Sequence, residues 1–250
     1  MEVKIDDLLL YSKCPMRFFF ERYLGAGESV LSLRGQVTHV LRDSCRELMM
    51  GADRAQYARA ESVKKLNNGL VGIYPPSDAR GAGSSRDTYM ELIQSARSTL
   101  DMISGEIIGM GLRPVMVPFA YNITINNKSY LGVSDGIMEK DGMHYVIVLD
   151  LGRTMPSDFD MDHSVYTTIA SFAYTEVYRS DRYKLVHYWV PGNAFIEVHR
   201  TPGDHNAIWR ELNNIAKIVD SCLENGEWYR SRGFWCNSCS VREPCSEVRY

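Results

Sequence analysis

The stretch His144-Tyr145-Val146-Ile147-Val148-Leu149-Asp150 is an almost unbroken apolar run that ends in a carboxylate. Such a run is typical of a strand that is buried on both faces in the middle of a sheet. Asp141-Gly142 precedes the run and predicts a turn before it. We therefore expect a central strand here, with an aspartate at its end.

Further strands and helices are predicted on both sides of this stretch. Strand-like patterns occur at 115–125, 129–138, 183–190 and 194–199, and the first two flank a hairpin turn at 126–128. Helical spacing of apolar residues occurs at 5–24, 36–50, 52–68, 86–109, 160–180 and 204–225, with a loop at 75–85. This order predicts the α/β class, as an α+β mixed sheet flanked by helices.

The chain is expected to form one domain, because no repeat or low-complexity linker divides residues 1–250. We predict a helical insertion at about 52–110 and a core at about 111–200. No apolar run approaches the ~20 residues that span a bilayer, and the first residues lack the layout of a signal peptide. The expectation is a soluble, intracellular (cytoplasmic) protein without a membrane partner.

Charge argues against a protein that coats nucleic acid, because the formal net charge is −3. A local basic groove is still compatible with this balance. Arginines are concentrated near both ends of the sequence, at Arg17, Arg22, Arg34, Arg42 and Arg46, and again at Arg230, Arg232 and Arg242. The simpler interpretation is that they cover solvated helix faces.

Three cysteines crowd the end of the sequence as Cys236-x2-Cys239-x5-Cys245. Thiolates bind zinc and iron–sulfur clusters, and either group usually takes four ligands. Cys14 is the best fourth candidate, because it precedes Pro15 in a turn from which a side chain can project. Spacing alone does not distinguish zinc from a cluster.

The other two cysteines, Cys45 and Cys222, fall on apolar faces of predicted helices. Buried free cysteine is common in protein cores. We interpret both as core residues.

Three short motifs between the cysteines suit a divalent cation: Gly35-x3-His39, Gly132-Val133-Ser134-Asp135-Gly136-Ile137 and Leu149-Asp150-Leu151-Gly152. Carboxylate oxygens are the ligands that such ions prefer, and the ion can activate water for phosphodiester cleavage. Each residue also has a plainer interpretation. His39 could be a satisfied helix-face histidine and Asp135 a turn aspartate, whereas an unpaired Asp150 at the end of a buried strand would be costly.

Together the cysteines and these motifs, in this order over 14–245, resemble the RecB-like iron–sulfur nucleases of the PD-(D/E)XK superfamily. This family includes the CRISPR-associated RecB-like exonucleases and the AddB nuclease domain. The resemblance implies a restriction-endonuclease-like core and Mg²⁺ or Mn²⁺ on His39, Asp135 and Asp150. It also implies a [4Fe–4S] cluster that joins the N-terminal helix to about 226–250, through Cys14, Cys236, Cys239 and Cys245.

Two parts of the family pattern are altered. The family's catalytic lysine, two residues after Asp150, is Gly152 here. Arg153 is the nearest cation, and we expect it to act with Asp135 and Asp150 if the site is catalytic. Lys140 and Lys184 are other conceivable donors. The glutamine and tyrosine of the following helix align with Thr168 and Phe172.

The resemblance implies a DNA-processing protein, either a metal-dependent exonuclease on single-stranded DNA or a CRISPR spacer-acquisition factor, with catalysis impaired at Gly152. The alternative is an inactive pseudo-nuclease that serves as a DNA-binding or assembly subunit. Expected partners are single-stranded DNA and a CRISPR integrase or recombination proteins. A zinc-stapled structural protein is the third interpretation. Expected phosphate contacts are Arg17, Arg34, Arg42 and Arg46, with stacking aromatics near 18–23.

Overall fold

The computed structural model describes residues 3–25, 33–71, 73, 83–152, 154–233, 236 and 239–247. The chain divides into two compact units. The first contains Met1–Leu31, Tyr121–Gly132 and Pro202–Tyr250, and the second contains Ser32–Ala120 and Val133–Thr201. Each unit therefore joins segments that are distant in sequence. The segments predicted to hold the cluster belong to the first unit. That the chain is one domain with a helical insertion and a core stays a prediction.

The strands are β1 (Arg113–Met116), β2 (Phe119–Ile125), β3 (Lys128–Ser134), β4 (Gly136–Lys140), β5 (Met143–Asp150), β6 (Tyr183–Trp189) and β7 (Ala194–Val198). The helices are α1 (Ile5–Lys13), α2 (Pro15–Phe18), α3 (Leu33–Met50), α4 (Ala55–Val71), α5 (Gly83–Gly109), α6 (Asp158–Asp162), α7 (Val165–Tyr178), α8 (Pro202–Asn225) and α9 (Arg242–Glu247). A π-helical turn, Phe19–Tyr23, follows α2.

The main sheet has five strands in the order β1-β4-β5-β6-β7, so β5 is the central strand as predicted. It pairs antiparallel with β4 and parallel with β6. A parallel pair needs a crossover connection, which α6 and α7 provide here. The sheet is therefore mixed and flanked by helices, which confirms the coarse fold prediction.

Two predicted strands are each divided in the structure. The segment 115–125 breaks before Phe119, because Pro118 has no N–H to donate to a ladder. Its first part, β1, joins the main sheet, whereas β2 pairs with β3 in a separate two-stranded sheet. The segment 129–138 breaks at Asp135, between β3 and β4. The predicted hairpin turn is confirmed, with positive φ at both Asn126 and Asn127.

The helices α3, α4 and α5 belong to the second unit and share its apolar core. One face of α3 buries Val37, Leu41, Cys45 and Leu48. This is the helical face that the sequence predicts. The predicted loop at 75–85 falls mostly outside the described residues, and α5 begins at Gly83.

The first predicted helix, 5–24, is interrupted in the structure at Cys14. This residue has extended backbone angles, and Pro15 occupies the first position of α2. Proline suits that position, because the missing N–H would have no helical partner there. The break places the Cys14 side chain between two helices. No helix within the described residues is long and apolar enough to cross a membrane.

Candidate functional site

The carboxylate of Asp135 is buried at the break between β3 and β4, with 2% of its surface exposed. Arg42 Nη1 lies 3.0 Å from Oδ1 and 2.7 Å from Oδ2. Arg46 Nε and Nη2 each lie 2.9 Å from Oδ1. The Leu149 amide donates to Oδ2 at 2.8 Å. Both oxygens are therefore bound by donors from α3 and β5.

These contacts occupy the lone pairs of Asp135. An ionised carboxylate offers about four acceptor positions, and two guanidinium groups and one amide point at them. Arg42 also donates to the Leu149 carbonyl at 3.0 Å. In this arrangement Asp135 does not suit a divalent ion, because guanidinium groups occupy the space beside its oxygens where the ion would have to bind. Its role as a metal ligand stays a prediction.

His39 lies on the same helix but its neighbours are different. Its side chain is 62% exposed, and Nδ1 is 3.8 Å from Asp43 Oδ2. Asp43 in turn lies 3.5 Å from Arg46 Nη1. Within the part of the chain that the structure describes, no group of three or more His, Cys, Asp or Glu side chains is placed to hold a metal ion.

Asp150, at the end of β5, bonds to a histidine that the sequence did not single out. His187 Nε2 on β6 lies 3.0 Å from Asp150 Oδ2, and the Gly152 amide donates to Oδ1 at 2.7 Å. The His187 hydrogen bond lowers the pKa of Asp150, with smaller help from Gly152 and the charge of Arg42. Burial of the carboxyl opposes part of this shift. Asp150 is therefore held as a carboxylate.

His187 continues this contact toward the start of α7. It is only 7% exposed, and its Nδ1 lies 3.4 Å from Thr167 Oγ1. The Thr167 hydroxyl lies 2.7 Å from that of Ser164, the N-cap residue of α7. A polar chain therefore runs from Asp150 through His187 into the helix that crosses from β5 to β6.

Neither Lys140 nor Lys184 lies beside Asp150, where the family's lysine would be. Lys140 pairs in register with Met143, at the opposite end of β5, and donates to the Met110 carbonyl. Lys184 pairs with Tyr145 and bonds Glu197 at 2.8 Å. At ~3.3 Å per strand residue, both start well over 10 Å from Asp150, so the suggestion of these two donors is wrong. Arg153 lies outside the described residues.

The positions aligned with the family's glutamine and tyrosine are buried on α7. Thr168 and Phe172 are each 9% exposed. The Thr168 hydroxyl donates to the Ser164 carbonyl and accepts from Arg200 Nε, both within 2.9 Å. The Thr168 hydroxyl is therefore used in contacts that hold the start of α7.

The first unit contains a pocket of about 410 Å³ that all four predicted cluster cysteines line: Cys14, Cys236, Cys239 and Cys245. Cys14 and Val241 are part of a small apolar cluster, against which Cys239 and Cys245 pack. Burial raises the pKa of the Cys245 thiol, and the neighbouring Cys14 and Cys239 add to the rise. Cys14 therefore lines the same pocket as the tail cysteines, but among the described residues the four thiols are not placed closely enough to form a metal-holding group.

The remaining cysteines are core residues, as the sequence predicts. Cys45 is fully buried, and burial raises the pKa of its thiol with a further contribution from the charge of Asp135. Cys222 is buried on α8, and its sulfur lies 3.3 Å from the Tyr11 hydroxyl.

The arginines predicted to bind phosphate are mostly engaged elsewhere. Arg42 and Arg46 bind Asp135, and Arg17 pairs with Glu21 at 2.8 Å. Arg34 lines a separate pocket of about 420 Å³ between α3 and α5. Of the aromatics near 18–23, Phe18 and Phe20 are buried, whereas Tyr23 is 52% exposed.

Comparisons with known proteins do not assign this chain to a family. No family model matches the chain, and no curated protein matches it. A solved structure described as "Crystal structure of SSO0001" is similar over 82% of this chain and 91% of its own, with 14% sequence identity and a TM-score of 0.39. A similarity at this level does not assign a fold family.

Substitution of Asp135 tests whether the arginine contacts stabilise the second unit. Asp135→Asn leaves Arg42 and Arg46 partly buried without their counter-charge, so the free energy of unfolding should fall by about 3 kcal/mol. Urea denaturation measures this. Asp43→Asn is the matched control, because the side chain of Asp43 is 38% exposed, and it should change stability by less than about 0.5 kcal/mol. Equal effects of the two substitutions would contradict the interpretation.

The hydrogen bond between His187 and Asp150 predicts a dependence of stability on pH. Because the folded-state pKa of Asp150 is lowered below its unfolded value of about 3.9, the carboxylate stabilises the fold above that pH. The contribution is lost as pH falls through the folded pKa. Asp150→Asn should therefore be less stable than wild type at neutral pH, and the difference should shrink toward about pH 2 in urea denaturation. If the stability difference between wild type and Asp150→Asn did not change with pH, the ionised Asp150 carboxylate would not be what stabilises the fold.

Proposed function

We propose that this chain is a RecB-like protein of the PD-(D/E)XK type that binds single-stranded DNA without hydrolysing it. It would serve as a DNA-binding or assembly subunit beside a partner such as a CRISPR integrase or a recombination protein. The ordered motifs from Cys14 to Cys245 are the basis for the family. The mixed sheet with flanking helices is compatible with its core.

The observation that carries the proposal is the binding of Asp135 by Arg42 and Arg46. In a metal-dependent nuclease this carboxylate would hold the ion that polarises the phosphate and activates water. A guanidinium group can neutralise a carboxylate and bind phosphate, but it carries no exchangeable water to activate. Gly152 removes the second cation of the centre. We therefore favour the non-hydrolytic form over the exonuclease.

We further propose that Cys14, Cys236, Cys239 and Cys245 hold a [4Fe–4S] cluster. Support comes from their shared pocket and from the apolar residues packed beside it. Thiolate ligation in an apolar surrounding suits such clusters. When bound, the cluster would supply a cross-link between the N-terminal helix and the tail. In this chain, Cys14 would contribute from the break between α1 and α2.

Labelled single-stranded DNA incubated with anaerobically purified protein and Mn²⁺ or Mg²⁺ tests the proposed function. We expect no cleavage above that of an identically purified Asp150→Asn variant. Fluorescence anisotropy should detect DNA binding that a chelator of divalent ions does not weaken.

Cleavage that requires Mn²⁺ and is lost in Asp150→Asn would overturn the non-hydrolytic proposal. Absence of both cleavage and binding would overturn the DNA-binding role itself.

Metal analysis of the purified protein tests the cluster. Wild type should contain about four iron atoms per chain and absorb visible light, and Cys236→Ser should lose both together with thermal stability. Cys45→Ala is the matched control, because Cys45 does not line the pocket, and it should keep its iron. One zinc ion per chain and no iron would instead establish the zinc-stapled alternative.

A further inference from the structure

The cysteine pocket of the first unit is surrounded by positively charged side chains. Four arginines line it, namely Arg17, Arg230, Arg232 and Arg242, and none of the described lining residues is acidic. This contrasts with the whole chain, whose formal net charge is −3. A basic surface in an acidic protein indicates an anionic partner.

Two of these arginines have structural contacts. Arg17 forms an ion pair with Glu21 at 2.8 Å. Arg230 donates to the Cys245 carbonyl. These contacts hold the wall of the pocket, so Arg17 and Arg230 are less suited to an external ligand.

The other two arginines face solvent. Arg232 lies in the segment after α8, and Arg242 is the first residue of α9; both are exposed. Neither forms an ion pair with an acidic side chain anywhere in the described ranges. Their guanidinium groups are therefore available for phosphate, which arginine binds with two parallel hydrogen bonds.

Exposed aromatic rings belong to the same unit. Tyr229 immediately precedes Arg230 and is 52% exposed, and Tyr23 is also 52% exposed. Tyr23 stacks on Phe19 at 5.5 Å, and Phe19 packs against the apolar cluster that contains Cys14. Cationic groups for the backbone together with aromatic rings for the bases are what a single-stranded nucleic acid requires.

We propose that the arginine rim, formed by Arg232 and Arg242 at the cysteine pocket, binds single-stranded DNA together with Tyr229 and Tyr23 of the same unit. The arginines would contact phosphates and the tyrosines would stack on bases. The inference rests on the proposed DNA-binding function and assigns it to the first unit, since Arg42 and Arg46 are engaged by Asp135. An acidic protein partner would use the charge of the rim but would not need the exposed rings.

The test compares two double variants with the same loss of charge. Arg232→Gln/Arg242→Gln removes the rim arginines. Arg182→Gln/Arg210→Gln removes two exposed arginines that do not line the pocket. Anisotropy titrations with oligo-dT over a range of salt should give roughly tenfold weaker binding for the rim variant and a log–log salt slope shallower by about 1.4. The control variant should bind like wild type, and Tyr229→Leu should weaken binding without changing the slope.

The outcomes separate this inference from the proposed function. If wild type binds DNA and both double variants bind equally well, the rim is not the site, and the proposed function stands. If wild type itself does not bind, both fail. Weaker binding that accompanies loss of iron and visible absorbance would assign the arginines to the pocket instead. Equally tight binding of poly-glutamate would make the rim a general polyanion site, and this too would overturn the inference.

Discussion

A buried carboxylate must be neutralised where it lies, because its charge is poorly solvated in the protein interior. Asp135 presents this requirement at the break between β3 and β4, and Arg42, Arg46 and the Leu149 amide meet it. The contacts connect α3 to the last residues of the central strand. The apolar core of the second unit packs the helices on the sheet, but no apolar contact could compensate the charge of Asp135.

Neutralising Asp135 can stabilise the fold without giving it catalytic chemistry. A divalent ion and a pair of guanidinium groups can both neutralise Asp135, so either is compatible with the same strands and helix. Only the ion is a Lewis acid that can activate water. The arginine contacts therefore neutralise Asp135 without supplying a Lewis acid. Both oxygens of Asp150 are likewise hydrogen-bonded, one to His187 and one to the Gly152 amide.

The first unit has a different physical problem at its C-terminal end. The helix α9 has only six residues and buries none of them. Its neighbour Val241 contributes to a small apolar cluster with Cys14, Met16 and Phe20. So few buried side chains supply little free energy to hold this segment. The four cysteines that line the pocket beside this cluster belong to the same unit.

Local pattern was sufficient for much of the fold. The apolar run at 144–150 predicted the central strand, Asn126-Asn127 predicted the hairpin, and the spacing of apolar residues predicted α3 and α8. These features depend on the preferences of neighbouring residues, which any sequence displays directly. The sequence also selected Cys14 as the companion of the tail cysteines; Cys14 lines the same pocket as they do, and its role as a ligand stays a prediction.

Long-range pairing decided the rest. His187 meets Asp150 only because β5 and β6 are parallel and pair Val148 with His187. Nothing in the isolated strand marks this histidine as a partner. Arg42 and Arg46 looked like surface cations, since helical spacing does not reveal that a buried carboxylate 89 or more residues away faces them. The sequence by itself determined which elements form, and the tertiary structure decided which charges meet, because pairing depends on register and packing across the chain.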